Sequence, residues 1–536
     1  MSNYVLAPQQ RAYAKIEATF GVNPGLAAGN GFRFMRLEPA KPQEYILRRD
    51  KQGTRTFPGV VPGGRRRGDL PIDAHVIPNG AAGIKPDMDP FYQAAFGTAG
   101  TTWVGNTVGA GSTTTSIVFV DNSQPLTVGQ FISYNGEARY VTAYNSSTFT
   151  ATVTPPFSFA PPAATVMGSS FNYLLGTNLP SVTIGSYWDP STAEQDLITG
   201  WVCQTMRLTI NTETTDVAFT GQAQDRQDNI SNNLTPATVY TANAGSGVTA
   251  GLTNVVALGS VAAPVGSYFS PLIVGQWVNI AGTLYTVATF VSPAAITLIT
   301  APGTQGPVTL GGVSTANTGI GLTSGLTNVV TIGPVGIPAG SFFLPEMVGQ
   351  LVTINAVTYT VNQYVSPSTI TLTTAPGTQA GVAFSVVPAE PASQTTNGVP
   401  IPGYQGEVWI NGQRFTTLIA GGVMLTNNSL MRQNEFGVQV PQGHAEGIRD
   451  IEMDFDVNEN DNAQTQALLT ASIGRITVPV FYQFGNVAGQ IVVVYAPNVT
   501  PQVPSRDDGA PNVHWVFTGN RASASVSNTE LAMAFC

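Results

Sequence analysis

The sequence offers few residues of the types that carry out catalysis or bind metals. Its three histidines, His75, His444 and His514, are far apart, and the sequence contains neither an HExxH motif nor paired CxxC motifs. Zinc sites and metalloproteases commonly use those spacings. A GxSxG nucleophile motif and a Walker phosphate loop are also missing. We therefore expect a protein that is not an enzyme, with no catalytic residues, no bound metal and no cofactor.

Several short motifs match known binding sequences but lie in contexts that do not suit them. The glycine pairs at 245–247 and 319–321 lack the GxGxxG spacing and open no helix, so we interpret them as linkers between repeats. The tripeptide Arg-Gly-Asp at 67–69 lies among further arginines and glycines, which favours an ordinary basic loop. The segment 454–465 begins like a calcium-binding loop, but it lacks the central glycine and the closing glutamate.

The most regular pattern of ionisable residues is an alternation of acidic and apolar residues at 450–457, which we call the acidic strand. On a β-strand, alternate side chains point to opposite faces, so carboxylates two residues apart share one face at intervals of about 7 Å. The carboxylates are those of Asp450, Glu452, Asp454 and Asp456, and the apolar residues between them are Ile451, Met453, Phe455 and Val457.

Four like charges in a row are tolerated only beside water, bound cations or basic neighbours. The acidic face is therefore an ordinary solvated surface, a partner for a basic loop, or a channel lining that repels phosphate. The basic loop is the other charged segment, and we expect it to contact a second subunit. Its residues are Arg48, Arg49, Lys51, Arg55, Arg65, Arg66 and Arg67.

Composition indicates which elements position these residues. Charged residues make up 10% of the 536 positions, well below the globular norm of about 25%. Apolar residues make up 43%, and glycine, proline, threonine and valine are abundant. β-Branched residues favour strands, while glycine and proline favour tight turns. The expected fold class is mainly β, with few helices and more than one domain.

The distribution of charge divides the chain. Thirteen of the 22 lysines and arginines lie before residue 87, whereas 241–395 holds only Glu346 and Glu390. The net charge of −9 argues against sequence-specific nucleic-acid binding. Two cysteines cannot form a disulfide framework, and neither a signal peptide nor a membrane-spanning segment is recognisable. We expect a protein made in the cytosol and not secreted.

An internal repeat explains the uncharged stretch. The segment that starts at Gly251 recurs from Gly325, at an offset of 74 residues without gaps, with about 33 of 55 positions identical. A more distant copy occupies about 104–172, where LTVGQFISYNGEARYVTAY parallels IVGQWVNIAGTLYTVATF. In each copy Val-Gly-Gln opens an alternating segment that predicts a β-hairpin within a unit of about five strands.

The repeats define the expected domain organisation. We predict a core in three parts, interrupted by a first module that is the divergent copy and by second and third modules that are the close copies. The core parts are 1–103, 173–240 and 396–536, and the modules are 104–172, 241–318 and 319–395.

Two helices are predicted in the core. In the first, Asp89 is the expected N-cap, Pro90 takes the first helical position and Gly97 ends the helix. The second begins after Asn460 or Asp461 and ends at Gly474. It is expected to flank the sheet through one apolar face made of Ala463, Ala467, Leu468 and Ala471.

The core segments, taken in order, resemble the major tail tube proteins of long-tailed bacteriophages. The resemblance covers most of the chain outside the modules, and it depends on the order of the segments, especially in the C-terminal half. The segments include ILRRDKQGTRTFPGVVPGG, DPFYQAAFG, GWVCQTMRLTINTETTDVAFTGQAQD, GGVMLTNNSLMRQNEFGVQVP, IRDIEMDFDV and VPVFYQFGNVAGQIVVVYAPNV. The chain is longer than a minimal tube protein, since the modules interrupt it.

The resemblance implies a β-sandwich or barrel-like core with one flanking helix and a short second helix. Six copies would close into a ring, and rings would stack into a tube that conducts DNA out of the capsid by non-specific, repulsive contact. Tube lumens in this family are described as negative, which favours the acidic strand as channel lining. Other tail proteins, such as the tape measure and the tail terminator, would be its partners in the virion, after assembly in the host cytoplasm.

Inward-facing modules would fill such a channel, so the second and third modules are expected outside, where they could contact host surface glycans. A glycan-binding adhesin or tail-fibre component built on repeated β-modules is the alternative function, and a capsid decoration protein is a third. A fibre would be expected to have repeats through most of its length, whereas these repeats lie inside another domain.

Overall fold

The computed structural model describes residues 7–42, 67–189, 194–228, 397–459 and 463–536 apart from short gaps, together with a few positions of 46–65 and the strands of 244–385. The protein is mainly β, as predicted, and its described residues include two α-helices. Short 3-10 turns lie at Ala7–Gln9 and Ala28–Asn30.

Twenty strands form one curled antiparallel sheet that encloses the main hydrophobic core. These strands are Arg11–Ile16, Gly31–Phe32, Arg36–Leu37, Gly68–His75, Thr101–Trp103, Ser170–Leu174, Val182–Asp189, Glu194–Ile210, Thr215–Ala223, Asp225–Asp228, Gly406–Ile410, Gln413–Phe415, Leu418–Thr426, Asp450–Asn458, Val478–Phe484, Val492–Thr500, Ser505–Asp507, His514–Phe517, Arg521–Ala522 and Ala532–Phe535.

One long strand, Glu194–Ile210, holds the two halves of this sheet together. Its first half pairs with Val182–Asp189, and its second half pairs with Thr215–Ala223 and Leu418–Thr426. Gly200 lies between the halves with φ of +67°, and a Cβ there would come within 2.7 Å of the side chain of Gln224. A glycine is therefore needed where the strand changes direction.

The first helix, Asp89–Phe96, lies inside the curl of the sheet. Phe91 packs against Trp201 at 5.5 Å between ring centroids, and Tyr92 packs against Phe535 at 5.3 Å. The helix ends at Gly97, as predicted, with φ of +78°. The predicted N-cap was wrong by one residue, since Met88 occupies that position and the helix starts at Asp89.

Asp89 has a different role from the predicted cap. Its carboxylate is buried and accepts hydrogen bonds from the hydroxyl of Tyr173 and the side-chain amide of Gln93, both at 2.8 Å. A buried carboxylate is stable only when such donors replace water. Asp89 therefore joins the first helix to the sheet.

The second helix, Ala463–Gly474, buries a face that differs from the prediction. Thr465 and Ser472 are buried beside Leu468 and Ala471, while the expected Ala463 and Ala467 are exposed. The hydroxyl of Ser472 donates to the carbonyl of Leu469 at 2.7 Å. A short hydroxyl residue can be buried in a helix when its OH group bonds the preceding turn, so apolar spacing alone gave the wrong face.

The first module forms a four-stranded sheet with its own small core, and it is docked on the large sheet. Phe131, Ala138 and Tyr140 of the module pack against Phe481 and Tyr495. The rings of Tyr140 and Tyr495 have centroids 4.2 Å apart. The strands of the module are Ser116–Val118, Phe131–Tyr134, Glu137–Asn145 and Thr150–Thr154.

A buried arginine lies at the centre of this docking contact. Arg139 is fully buried, its guanidinium pairs with Glu407 of the core at 2.5 Å, and it pairs with Glu137 of its own module at 3.0 Å. Its centre lies 5.2 Å above the ring of Phe157. Burial lowers the pKa of Arg139, and the two carboxylates oppose that shift. The contact needs both charges, because either charge alone would be buried without compensation.

The second and third modules are closed six-stranded barrels. The strands are Ala244–Thr249, Val255–Leu258, Trp277–Ile280, Thr283–Ser292, Ala295–Leu298 and Gln305–Gly312 in the second module, and Thr318–Ser324, Val329–Ile332, Leu351–Ile354, Val357–Ser366, Thr369–Leu372 and Gln379–Ser385 in the third. The predicted hairpin pairing is confirmed, with Trp277 opposite Thr286. The prediction of about five strands missed the first strand of each barrel, because that strand precedes the duplicated segment. In the second module this strand, Ala244–Thr249, pairs with the last strand, which closes the barrel and removes the edges.

Three two-stranded pairs complete the described structure. Ile46–Leu47 pairs with Val60–Val61, Leu430–Met431 pairs with His444–Ala445, and Ser314–Thr315 pairs with Ser341–Phe342.

We predict that Arg139→Met destabilises the core far more than Arg414→Met. Both arginines approach the carboxylate of Glu407, but Arg414 is half-exposed and lies 3.5 Å away. Removing Arg139 leaves Glu407 buried without its closest cation, for an expected loss of about 3 kcal/mol in the free energy of unfolding. The exposed Arg414 should contribute less than about 1 kcal/mol. Urea unfolding of both variants measures the difference, and equal losses would contradict the role assigned to Arg139.

Candidate functional site

The acidic strand has the alternating burial that its sequence predicts. Ile451, Met453, Phe455 and Val457 are buried in the main core, and the carboxylate-bearing residues between them are only partly buried. Among the ion-paired carboxylates of the acidic strand, Asp450 has the most exposed side chain, at 41%, and Glu452 is less exposed, at 18%. The four carboxylates therefore share the outward face of the curled sheet.

Each carboxylate of the acidic strand has a partner from the segment 514–521. Arg521 pairs with Asp450 and also with Glu452, the latter at 2.6 Å. Asp454 accepts a hydrogen bond from the backbone of Gly519 at 2.9 Å, and Asp456 lies 2.6 Å from a ring nitrogen of His514. These neighbours supply one permanent positive charge, so the face keeps a net negative charge.

A second acidic row was missed by the sequence analysis. The strand Gly68–His75 alternates in the same way, with Leu70, Ile72 and Ala74 buried and Asp69 and Asp73 on the outward face. Asp216 of the next strand lies beside them, 2.6 Å from His75. The alternation in GDLPIDAH could have revealed this row, since it is the signal that revealed the acidic strand.

The side chains on the sheet between the two acidic rows are mostly short. Cross-strand pairing puts Ala218 beside Asp73, and it puts Met424 beside Glu452. Arg207 lies between Ala218 and Met424, is exposed, and forms no ion pair with any residue that the structure describes. The other outward residues of these central strands are Thr205, Thr209, Thr220, Gln222, Ala420, Gly422 and Thr426.

This arrangement gives a broad sheet face with acidic rows on both sides and, apart from Arg207, Met424 and Gln222, short side chains between them. A row of carboxylates raises the local negative potential and repels phosphate, most strongly at low salt. The described residues contain no group of three or more metal-ligating side chains that could hold an ion.

Among the residues that the structure describes, those of the basic loop do not lie beside the acidic strand. Arg48 and Arg55 are exposed, while Arg49, Lys51 and Arg66 lie outside the described residues. Arg65 donates to the backbone carbonyl of Glu435 at 3.4 Å. Arg67 pairs with Asp69 at 3.1 Å and contacts the side chain of Gln433 at 3.4 Å. The end of the basic loop therefore lies against Gln433 and Glu435.

That neighbouring segment, 427–449, connects the strands Leu418–Thr426 and Asp450–Asn458, and we call it the arm. Its base is fixed, because the side-chain amide of Asn427 donates to the carbonyl of Ala95 at 3.0 Å and Arg449 donates to the carbonyl of Gly176. Beyond the base, large apolar side chains are exposed: Leu430, Phe436 and Ile448. A fixed base with exposed apolar residues is typical of a contact surface.

His444 attaches the arm to the core. Its ring packs on Phe20 at 5.8 Å between centroids, and one ring nitrogen lies 3.8 Å from Glu446. The other ring nitrogen is buried and has no hydrogen-bond partner. Burial lowers the pKa of His444, although Glu446 and the backbone of Leu179 oppose the shift. The histidine is therefore held in its neutral form in the folded protein.

Comparison with known families and curated proteins adds no identification, since no family model and no curated protein matches the chain. No helix among the described residues is long and apolar enough to cross a membrane. The function has to be argued from the acidic face, the arm and the modules.

We predict that protonation of His444 lowers the stability of the arm. Its pKa in the folded protein is below its usual value of 6.5, so the unfolded state binds more protons as the pH falls below 6.5. The free energy of unfolding should therefore decrease between pH 7 and pH 5 by more in the wild type than in His444→Gln. Urea unfolding at several pH values measures this difference, and parallel pH profiles would contradict it.

Proposed function

We propose that this protein is the structural subunit of a bacteriophage tail tube, in which six copies close into a ring and the acidic sheet face lines a channel for DNA. The observation that carries the proposal is the pair of acidic rows, at Asp69 and Asp73 and at 450–456, on one continuous outward face. A wall that lets a polyanion pass needs a net negative charge and few large protruding groups. The acidic rows supply the charge, and the side chains between them are mostly short, with Arg207 as an exposed cation among them.

The form of the sheet supports the same function. One face of the curled sheet is closed by the main core, so only the other can border a lumen. The sheet ends at the two-residue strand Arg36–Leu37 beside Gly68–His75. An exposed edge favours pairing with another chain, and a ring of subunits would use it in that way.

The modules fit the exterior of such a tube. The first module is docked on the core through Arg139 and strengthens the subunit itself. The second and third modules are closed barrels with little charge, and six pairs of them inside the channel would block DNA. We therefore place these two modules on the outside of the tube, where they would either contact host surface glycans or serve only as decoration. The proposed location is the virion, with the tape measure and tail terminator as partners.

Electron microscopy of the purified protein tests this function against its alternatives. We expect hollow rings with sixfold symmetry, or tubes built from them. Trimeric fibres would indicate the adhesin or tail-fibre alternative. A monomer that binds only to preassembled capsids would indicate a decoration protein, and either result would overturn the proposal.

We also predict that Asp450→Asn with Glu452→Gln leaves the tubes assembled but slows DNA ejection. The substitutions keep the size of both side chains and remove two negative charges per subunit from the proposed wall, so passing phosphates are repelled less. Dye-labelled DNA released from assembled phage measures the rate, with Asp121→Asn on the first module as the control. The effect should be larger at low salt. Unchanged ejection at low salt would contradict the lining role.

A further inference from the structure

The two ends of the outward sheet face have different surfaces. Strand register defines the ends, because Thr426 lies opposite Asp450 at one end, while Ala420 lies opposite Asp456 near the other. The arm, 427–449, joins two strands at the first end. The basic loop enters its strand at the same end, since Gly68 pairs with Ala223 there.

The arm end combines exposed apolar and positive groups. Phe436 is completely exposed, and Leu430 is about two-thirds exposed, at 69%. Arg432 pairs with Glu435 next to Phe436, and Arg65 reaches the carbonyl of Glu435. An exposed apolar side chain with two arginines at the adjacent Glu435 suits a partner surface that is apolar in its centre and acidic around it.

The opposite end of the same sheet has such a surface. An open groove of about 460 Å³ lies there, lined by Thr417, Asn458, Glu459, Pro511, Asn512 and Val513. Asp507, at the end of the strand Ser505–Asp507, and Asp508 begin an exposed acidic loop beside the groove, and Asp507 lies 3.6 Å from His514 of the strand His514–Phe517. Glu459 pairs with Arg506 at 2.8 Å, so the surface keeps an excess of carboxylates.

We propose that the arm of one copy docks in this groove of a second copy, with Phe436 against Pro511 and Val513, and with Arg65 and Arg432 near the partner's acidic loop. The surfaces at the two ends of the sheet are complementary in charge. A contact between unlike surfaces either closes into a ring or continues along an axis. Because these two surfaces lie at opposite ends of the sheet, we assign the contact to the second case, in which it joins successive copies head to tail. The inference depends on the proposed function, since it assigns this contact to the stacking of rings.

Charge reversal tests the docking. In Asp507→Arg with Asp508→Arg, like charges meet across the contact, and we expect the protein concentration needed for tube formation to rise by about tenfold or more. Arg65→Glu with Arg432→Glu should have the same effect. The four substitutions together restore opposite charges, so tube formation should return towards the wild-type concentration. Sedimentation and electron microscopy measure the assembled fraction.

An apolar substitution tests the other half of the contact. Phe436→Ser should also raise the protein concentration needed for tube formation. Phe159→Ser is the matched control, because Phe159 is also exposed but lies on the first module. Two outcomes overturn the inference. In the first, tubes form at the wild-type concentration with either reversed pair. In the second, the fourfold variant does not regain tube formation, although every variant remains folded and forms single rings. If the wild type forms neither rings nor tubes, the proposed function itself fails, and that result is distinct.

Discussion

The core of this protein depends on a sheet that buries one face and leaves much of the other face to solvent. In the strands Gly68–His75 and Asp450–Asn458 every second residue is buried, and the residues between them are polar apart from Pro71. A shift of one residue in either strand would place carboxylates in the core, at a cost of several kcal/mol for each. Register, curvature and the position of the acidic rows are therefore consequences of one constraint. The outward face is held in place by the core behind it.

The core is completed by contacts between residues far apart in the sequence. The first helix fills the curl of the sheet through Phe91 and Tyr92, and Arg139 joins the first module to Glu407 of the third core part. The first module has thus become part of the body of the protein. The two close copies are self-contained barrels, and their strands match at an offset of 74 residues. The docked module has the buried arginine, whereas the barrels have threonine-rich, nearly uncharged sequences.

Local patterns in the sequence were sufficient for some features. Alternation predicted the acidic strand, the repeat predicted the paired modules, and Gly97 predicted the end of the first helix. Features that depend on tertiary contacts were missed. The partners of the acidic strand, Arg521 and His514, come from two strands whose pairing the sequence does not show. The buried face of the second helix was also missed, because buried hydroxyl groups do not follow apolar spacing.

The second acidic row could have been found, because it has the same period of two as the first. It was missed for two reasons. Asp69 belongs to the tripeptide Arg-Gly-Asp, which was interpreted as part of a basic loop, and the strand contains only two carboxylates. The docking of the first module could not have been found from the sequence. An isolated arginine in a β-hairpin is normally exposed, and only the packing of Phe157 and Phe481 around Arg139 makes it a buried ion pair.

The central claim is that the acidic face borders a channel. A cryo-electron microscopy reconstruction of the assembled protein tests it most directly, because it shows which surface of each subunit faces the axis. The account predicts a sixfold tube with the strands Gly68–His75 and Asp450–Asn458 along the lumen and the two barrels on the outside. A lumen lined by any other surface, or an acidic face buried between subunits, would contradict it.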